Sequence, residues 1–189
     1  MSHFTDTYEI RSKISERDVH FFFFSEGKKN IIKVVLYYYV LDLQEYPLYN
    51  LALSDYDIST NSYHIDKTTD NGDAYKVFHT VLATIPCFFS IWQNAMLMVQ
   101  GSDSTQEFQD NCRLTCKKRC PLAECRNAHR RINIYRNYVN KNFDSLTKEY
   151  IFYGGIIDID NQLLKVEYNK ENNYRIVLLK KRKFDDHDI

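Results

Sequence analysis

The sequence predicts an α+β fold: a curved antiparallel meander packed on a long kinked helix, with a Cys-rich helical insertion and closing C-terminal strands. Three observations predict it. Strand-forming residues alternate with polar turns over roughly the first 60 residues; apolar residues recur every three or four positions from Phe78 to Trp92; and four cysteines fall within one short helical stretch, Cys112 to Cys125.

The strands come first. His20-Phe21-Phe22-Phe23-Phe24 ends at the polar turn 25–30, where Gly27 supplies a position of positive φ, and Ile31 to Leu41 resumes with β-branched and aromatic residues. Within that second strand Ile32, Val34, Leu36, Tyr38 and Val40 share one face, the expected core; Lys33, Val35, Tyr37 and Tyr39 share the other, aromatic but polar-tipped. Tyr49 to Asp55 reads as a third strand, followed by a polar loop through Asp73. The period then changes. Phe78, Val81, Leu82, Ile85, Phe88, Phe89 and Trp92 make a helical face capped by Asn71-Gly72-Asp73, and Pro86 inside it predicts a kink near Leu82. Trp92 is expected against Ile32, Val34 or Leu36. Polar residues at 79, 80 and 84 argue against a membrane span for this stretch. Ala95 to Gln100 reads as a short buried strand, 105–147 as helix in at least two pieces broken at Cys120-Pro121, and 150–153 and 174–179 as strands, with a frayed tail beyond.

A chain of 189 residues fits a single domain, 1–189, with 104–129 as a Cys-rich insertion. Only five glycines and three prolines exclude collagen-like and linker-rich classes. The start lacks an apolar segment of the secretory kind, which favours a cytoplasmic location and reduced thiols. Net charge is zero but unevenly spread: residues 113–141 hold nine Lys/Arg against the single acid Glu124. Such a field attracts phosphate or an acidic partner, unless it is simply a solvated helix face.

Gly101-Ser102 follows a strand and precedes a helix. Unpaired N–H groups at such a turn can hold an anion, with Arg130, Arg131 and Arg136 and the adjacent Tyr135 completing the site. The alternative is a plain helix cap, because Asp103 can take the same N–H groups. The cysteines are more specific. Cys112 and Cys116 lie one helical turn apart, and Cys125 and His129 repeat that spacing. Those four suit a structural zinc ion, with Cys120 as an alternative ligand; two disulfides or four unlinked thiols compete with it. Asp55, Asp57, Asp66, Asp70 and Asp73 are a weaker candidate for a hard cation, since loop aspartates also cap and turn. His64, His79 and His129 have no nucleophile at a recognisable spacing.

Several short segments resemble a family of bacterial proteins, mainly from Bacteroidetes, that has no assigned reaction. They are Phe24-Ser25-Glu26-Gly27 with Lys33-Val34-Val35, Tyr49-Asn50-Leu51-Ala52-Leu53 with Asp55, Asn71-Gly72-Asp73 with Lys76-Val77 and Thr80-Val81, Gly101-Ser102, Arg130-Arg131 with Tyr135, and Tyr153-Gly154. The resemblance implies a fold and a set of marked positions. The chain departs from simpler members by the Cys-rich segment between Gly101-Ser102 and the arginines.

Two function classes follow from the residues. One is a non-enzymatic binding module for nucleic acid or another phosphate-bearing or acidic partner, using the arginines and the aromatic sheet, with Tyr37, Tyr39 and Tyr49 as stacking surfaces for bases. The other is a small-ligand or metal-dependent enzyme built around Gly101-Ser102 and the aspartate loop. A scaffold of a defence or toxin-type operon is a third possibility.

Overall fold

A computed structural model of the chain describes residues 6–64, 71–116, 118, 120–121 and 125–183. The expectations placed on Asp66, Asp70, Lys117, Arg119, Glu124 and the tail beyond 183 lie outside the described residues. The fold is α+β, and its contacts divide it into two units, 1–95 and 96–189.

In the first unit β1 (Arg11–Ile14), β2 (Asp18–Glu26), β3 (Asn30–Leu43), β4 (Tyr46–Asp57) and β5 (Ser62–His64) pair in chain order, every pairing antiparallel. The meander is therefore as expected, with β1 added. A register shift between Tyr39 and Leu41 bends β3 against β4. α1 (Ala74–Ile91) runs unbroken through Pro86 and buries Val77, Thr80, Val81, Leu82, Thr84, Phe88 and Phe89. By length and composition alone α1 could cross a bilayer.

The face that meets α1 is the opposite of the one expected. Tyr37 stacks on Phe88 at 4.6 Å between ring centroids, and Trp92 stacks on Tyr49 at 4.6 Å, so the aromatic face of Lys33, Val35 and Tyr37 is the helix-packed core. On the expected face Val34 and Leu36 are buried as predicted, whereas Tyr38 and Val40 are exposed. The reason is that each polar tip on the aromatic face has a partner. The Tyr37 hydroxyl bonds Thr84 Oγ1 at 2.7 Å, and Lys33 Nζ pairs with Asp55 Oδ1 at 2.6 Å, so neither is buried unsatisfied. Tyr37 and Tyr49, buried in this way, are closed to stacking bases.

In the second unit β6 (Met96–Gln100), β7 (Tyr150–Ile157), β8 (Leu163–Glu167) and β9 (Ile176–Lys181) form antiparallel pairs in the spatial order β6-β9-β7-β8. Between β6 and β7 come a 3-10 turn at Ser102–Ser104, α2 (Gln106–Thr115), α3 (Arg130–Lys141) and the single turn α4 (Phe143–Leu146). Gly154 in β7 makes room for the Tyr174 ring just before β9, because a Cβ there would lie 2.0 Å from it.

Candidate functional site

Residues far apart in sequence converge where the β2–β3 hairpin meets the start of α1. Asp73 Oδ2 accepts hydrogen bonds from Ser25 Oγ at 2.6 Å and from the Tyr8 hydroxyl at 2.8 Å. Asn71 Nδ2 donates to Ser25 Oγ and to the Lys29 carbonyl, both at 2.9 Å, while Lys29 N donates back to Asn71 Oδ1 at 2.8 Å. Gly27 is required by close approach and not by a positive φ: a Cβ would lie 2.0 Å from the Asn71 carbonyl oxygen. The positive φ, 85°, belongs to Gly72. On α1, Thr80 Oγ1 accepts from Tyr8 N at 2.9 Å and Lys76 Nζ lies 4.3 Å from the centre of the Tyr8 ring.

A shallow cleft of about 280 Å³ opens beside this network, lined by Asp6, Tyr8, Glu26, Gly72, Asp73, Tyr75 and Lys76. Burial and the bond to Asp73 push the Tyr8 phenol up. The chemistry is that of a clamp. The Ser25 hydroxyl donates a hydrogen bond to the Asp73 carboxylate, which fixes its orientation and ties the β2–β3 hairpin to the start of α1. The other described aspartates are committed elsewhere. Asp55 is buried with Lys33, and Asp57 accepts from both Ser59 N and Ser59 Oγ, whose hydroxyl holds its carboxyl below the usual range.

In the second unit the turn 101–104 and the start of α3 come together. Asp103 Oδ2 accepts from Arg131 N at 2.9 Å, Asp103 O accepts from His129 N at 3.2 Å, and the Arg131 guanidinium donates to Ser102 Oγ. Gly101, Ser102 and Arg131 are thus neighbours, and a carboxylate of the chain itself occupies the helix N-terminus. Arg130 points to solvent, and Arg136 Nη1 donates to the Tyr174 carbonyl at 3.3 Å. Burial pushes the Tyr135 phenol up to about 12, against the pull of Arg131.

Three of the four clustered cysteines accept hydrogen bonds from the neighbouring residues Arg126 and Asn127. Asn127 Nδ2 donates to Cys112 Sγ at 3.2 Å and Cys116 Sγ at 3.5 Å, and Arg126 N donates to Cys120 Sγ at 3.4 Å. His129, in left-handed conformation with φ 61°, caps α3, and its charged neighbours are Arg175, Asp103 and Arg136. As the side chains stand, no group of three or more His, Cys, Asp or Glu among the described residues is arranged to hold a metal ion.

A family model matches residues 5–108, more than half of the chain. The chain belongs to that family, a family of unknown function (DUF6934). The DUF6934 match takes in the whole Ser25–Asn71–Asp73 network, the Lys33–Asp55 pair and the Gly101–Asp103 turn, and it stops short of the four clustered cysteines and α3. No curated protein and no solved structure matches the chain. Sequence reasoning marked Ser25 as a motif position and Asn71-Gly72-Asp73 as the cap of α1, and it missed Tyr8; Asp73 is the N-cap residue, but its carboxylate makes no cap hydrogen bond and serves Ser25 and Tyr8 instead. No periodicity links residue 8 to residue 73, and only the hydrogen-bonding capacity of an early tyrosine hinted at a partner.

Proposed function

We propose that this chain is a non-enzymatic binding module that holds a phosphate-bearing partner, a nucleic-acid strand, on the solvent face of α3. One observation carries the reading. Arg130, Ile134, Asn137 and Lys141 form the exposed stripe of α3, with Arg126 exposed just before it, and among the described residues no carboxylate pairs with Arg126, Arg130 or Lys141. At 1.5 Å per residue the two ends of the stripe are about 16 Å apart, a length that follows several phosphates of a strand. Cations without a partner exchange counterions for phosphates, whereas Arg131 is already held by Ser102 and serves the turn.

The test is fluorescence anisotropy of a labelled single-stranded oligonucleotide across a salt series. Each phosphate contact contributes about 0.7 to the slope of log affinity against log salt for single strands. Replacing Arg126, Arg130 and Lys141 together by Ala should lower the slope by about 2. Failure of the parent protein to bind any oligonucleotide at low salt discards the reading.

A further inference from the structure

We infer that β8 is a self-pairing edge, through which two copies of the chain join as an antiparallel pair of strands centred on Val166.

Among the described residues β8 ends the second unit's strand order and pairs with β7 alone, from Tyr153↔Glu167 to Ile157↔Leu163 without a shift of register. Such an edge offers a row of backbone N–H and C=O groups to another strand. The outward row can be identified. The Tyr174 hydroxyl, on a ring seated against Gly154 of β7, donates to Glu167 O at 3.0 Å and accepts from Asn169 N at 3.2 Å. The backbone groups of 167 and 169 thus turn toward β7, and alternation along the strand turns those of Leu164 and Val166 outward. Proline, bulge and outward lysine, which ordinarily blunt an edge, are absent: Lys165 folds back over its own sheet, Nζ 4.7 Å from the centre of the Tyr153 ring. Leu164 and its cross-strand neighbour Ile156 lie half-exposed on one face, at 47% and 46%.

Charge decides what fits this edge. Two antiparallel strands related by a two-fold axis set the same face opposite the same face, so one residue must meet its own copy. Centred on Val166, the pairing sets Lys165 opposite the partner's Glu167, twice, and lays Leu164 against the partner's Tyr168. Glu167 is exposed, and no ion pair among the described residues uses it. β1, the edge strand of the first unit, has the contrary pattern. Centred on Ser12 it sets Arg11 opposite the partner's Lys13, and centred on Lys13 it sets that lysine against its own copy, so like charges repel. Of these two edges, β8 is the one complementary to itself. A strand of five residues is well short of the roughly 20–30 residues a side of a standard interface, so the dimer forms and dissociates with concentration.

Sedimentation equilibrium of the full chain over a concentration series reads the pairing. The parent should pass from monomer to dimer, while Lys165→Glu and Glu167→Lys should each stay monomeric, because each sets like charges opposite. Mixed in equal amounts, those two variants should dimerise again, since each carries the charges that the other lacks; a misfolded variant gives no such rescue. Val166→Pro removes an outward N–H from an edge strand, so it should keep the parent's circular-dichroism spectrum and stay monomeric. A parent that is monomeric throughout overturns the inference, as does one that takes an extended peptide of another protein along β8 in place of its own copy. So does a dimer that survives in both charge variants, or a mixture of the two that stays monomeric.

Discussion

Lys33 and Asp55 face each other across β3 and β4 as a buried ion pair, Nζ to Oδ1 at 2.6 Å, with residue exposures of 6% and 8%. The desolvation of both charges is large, and their attraction returns it only while both are present. Asp55→Asn leaves an ammonium buried without its counter-charge and should cost about 3–5 kcal/mol. The double variant Lys33→Met/Asp55→Leu should recover most of that loss. Urea denaturation checks both, and a double variant as unstable as the single would show that the pair does more than neutralise itself.

Phe88 is fully buried between Tyr37, Tyr49 and Phe89, whereas Trp92 is only half-buried and stacks on Tyr49 at the end of α1. Phe88→Ala should cost about 3–5 kcal/mol through lost transfer energy and a cavity. Trp92→Ala should cost less, because solvent already reaches one side of the indole and can fill the space. Thermal melts of the two variants decide the order. A larger loss for Trp92→Ala would place the centre of the first unit's core at the end of the helix.

What was legible in the sequence follows from where burial leaves a periodic mark. The β2–β3 hairpin and α1 were readable because each carries a run of large residues at one period. β1 was not, since all four of its residues are exposed and pattern has nothing to register. The choice of core face in β3 went wrong at Lys33 and Tyr37, whose polar atoms are satisfied by Asp55 and Thr84 from other elements. No local rule sees those partners. The same limit explains His129. Its four-residue spacing from Cys125 looks helical, but its backbone is left-handed, and the charged groups around its ring are Arg175, Asp103 and Arg136. The clamp at Asp73 could be read as a marked motif, while its bonds to Ser25 and Tyr8 span 48 and 65 residues.

Acid should weaken the folded state through His129. Burial, then Arg175 and also Arg136, hold its imidazolium form below the ordinary value of 6.5, against the pull of Asp103. The unfolded chain therefore takes up the proton first as pH falls. Stability from the neutral ring is whole above about 6.5 and declines as pH drops from there toward the folded value. His20 acts in the same direction, mainly through burial, with Asp18 opposing and Lys13 adding. Urea midpoints measured from pH 8 down to about 5.5 should fall, and His129→Gln should flatten the decline. An unchanged slope in that variant would assign the acid sensitivity to other groups.

Asp103 explains why an anion is not needed at the start of α3. Its Oδ2 accepts from Arg131 N at 2.9 Å, so the N–H groups and positive dipole end of the helix are already served by a carboxylate. Removing such a cap ordinarily costs about 0.5–2 kcal/mol. Here the loss should fall near the lower end, because Asp103 Oδ1 is buried without a partner and its removal relieves that desolvation. Asp103→Ala also uncovers the N-terminus beside the Arg131 guanidinium, which makes it a place for a foreign anion. Inorganic phosphate should therefore raise the melting temperature of Asp103→Ala by more than that of the parent, by the mass-action stabilisation of a ligand that binds only the folded state. Asp103→Asn, which keeps an oxygen at the cap while removing the charge, should lie between the two. The measurement is a thermal-shift series in phosphate against chloride at equal ionic strength. Equal shifts for all three proteins would mean that Asp103 does not stand in for an anion and that the turn 101–104 is only a cap.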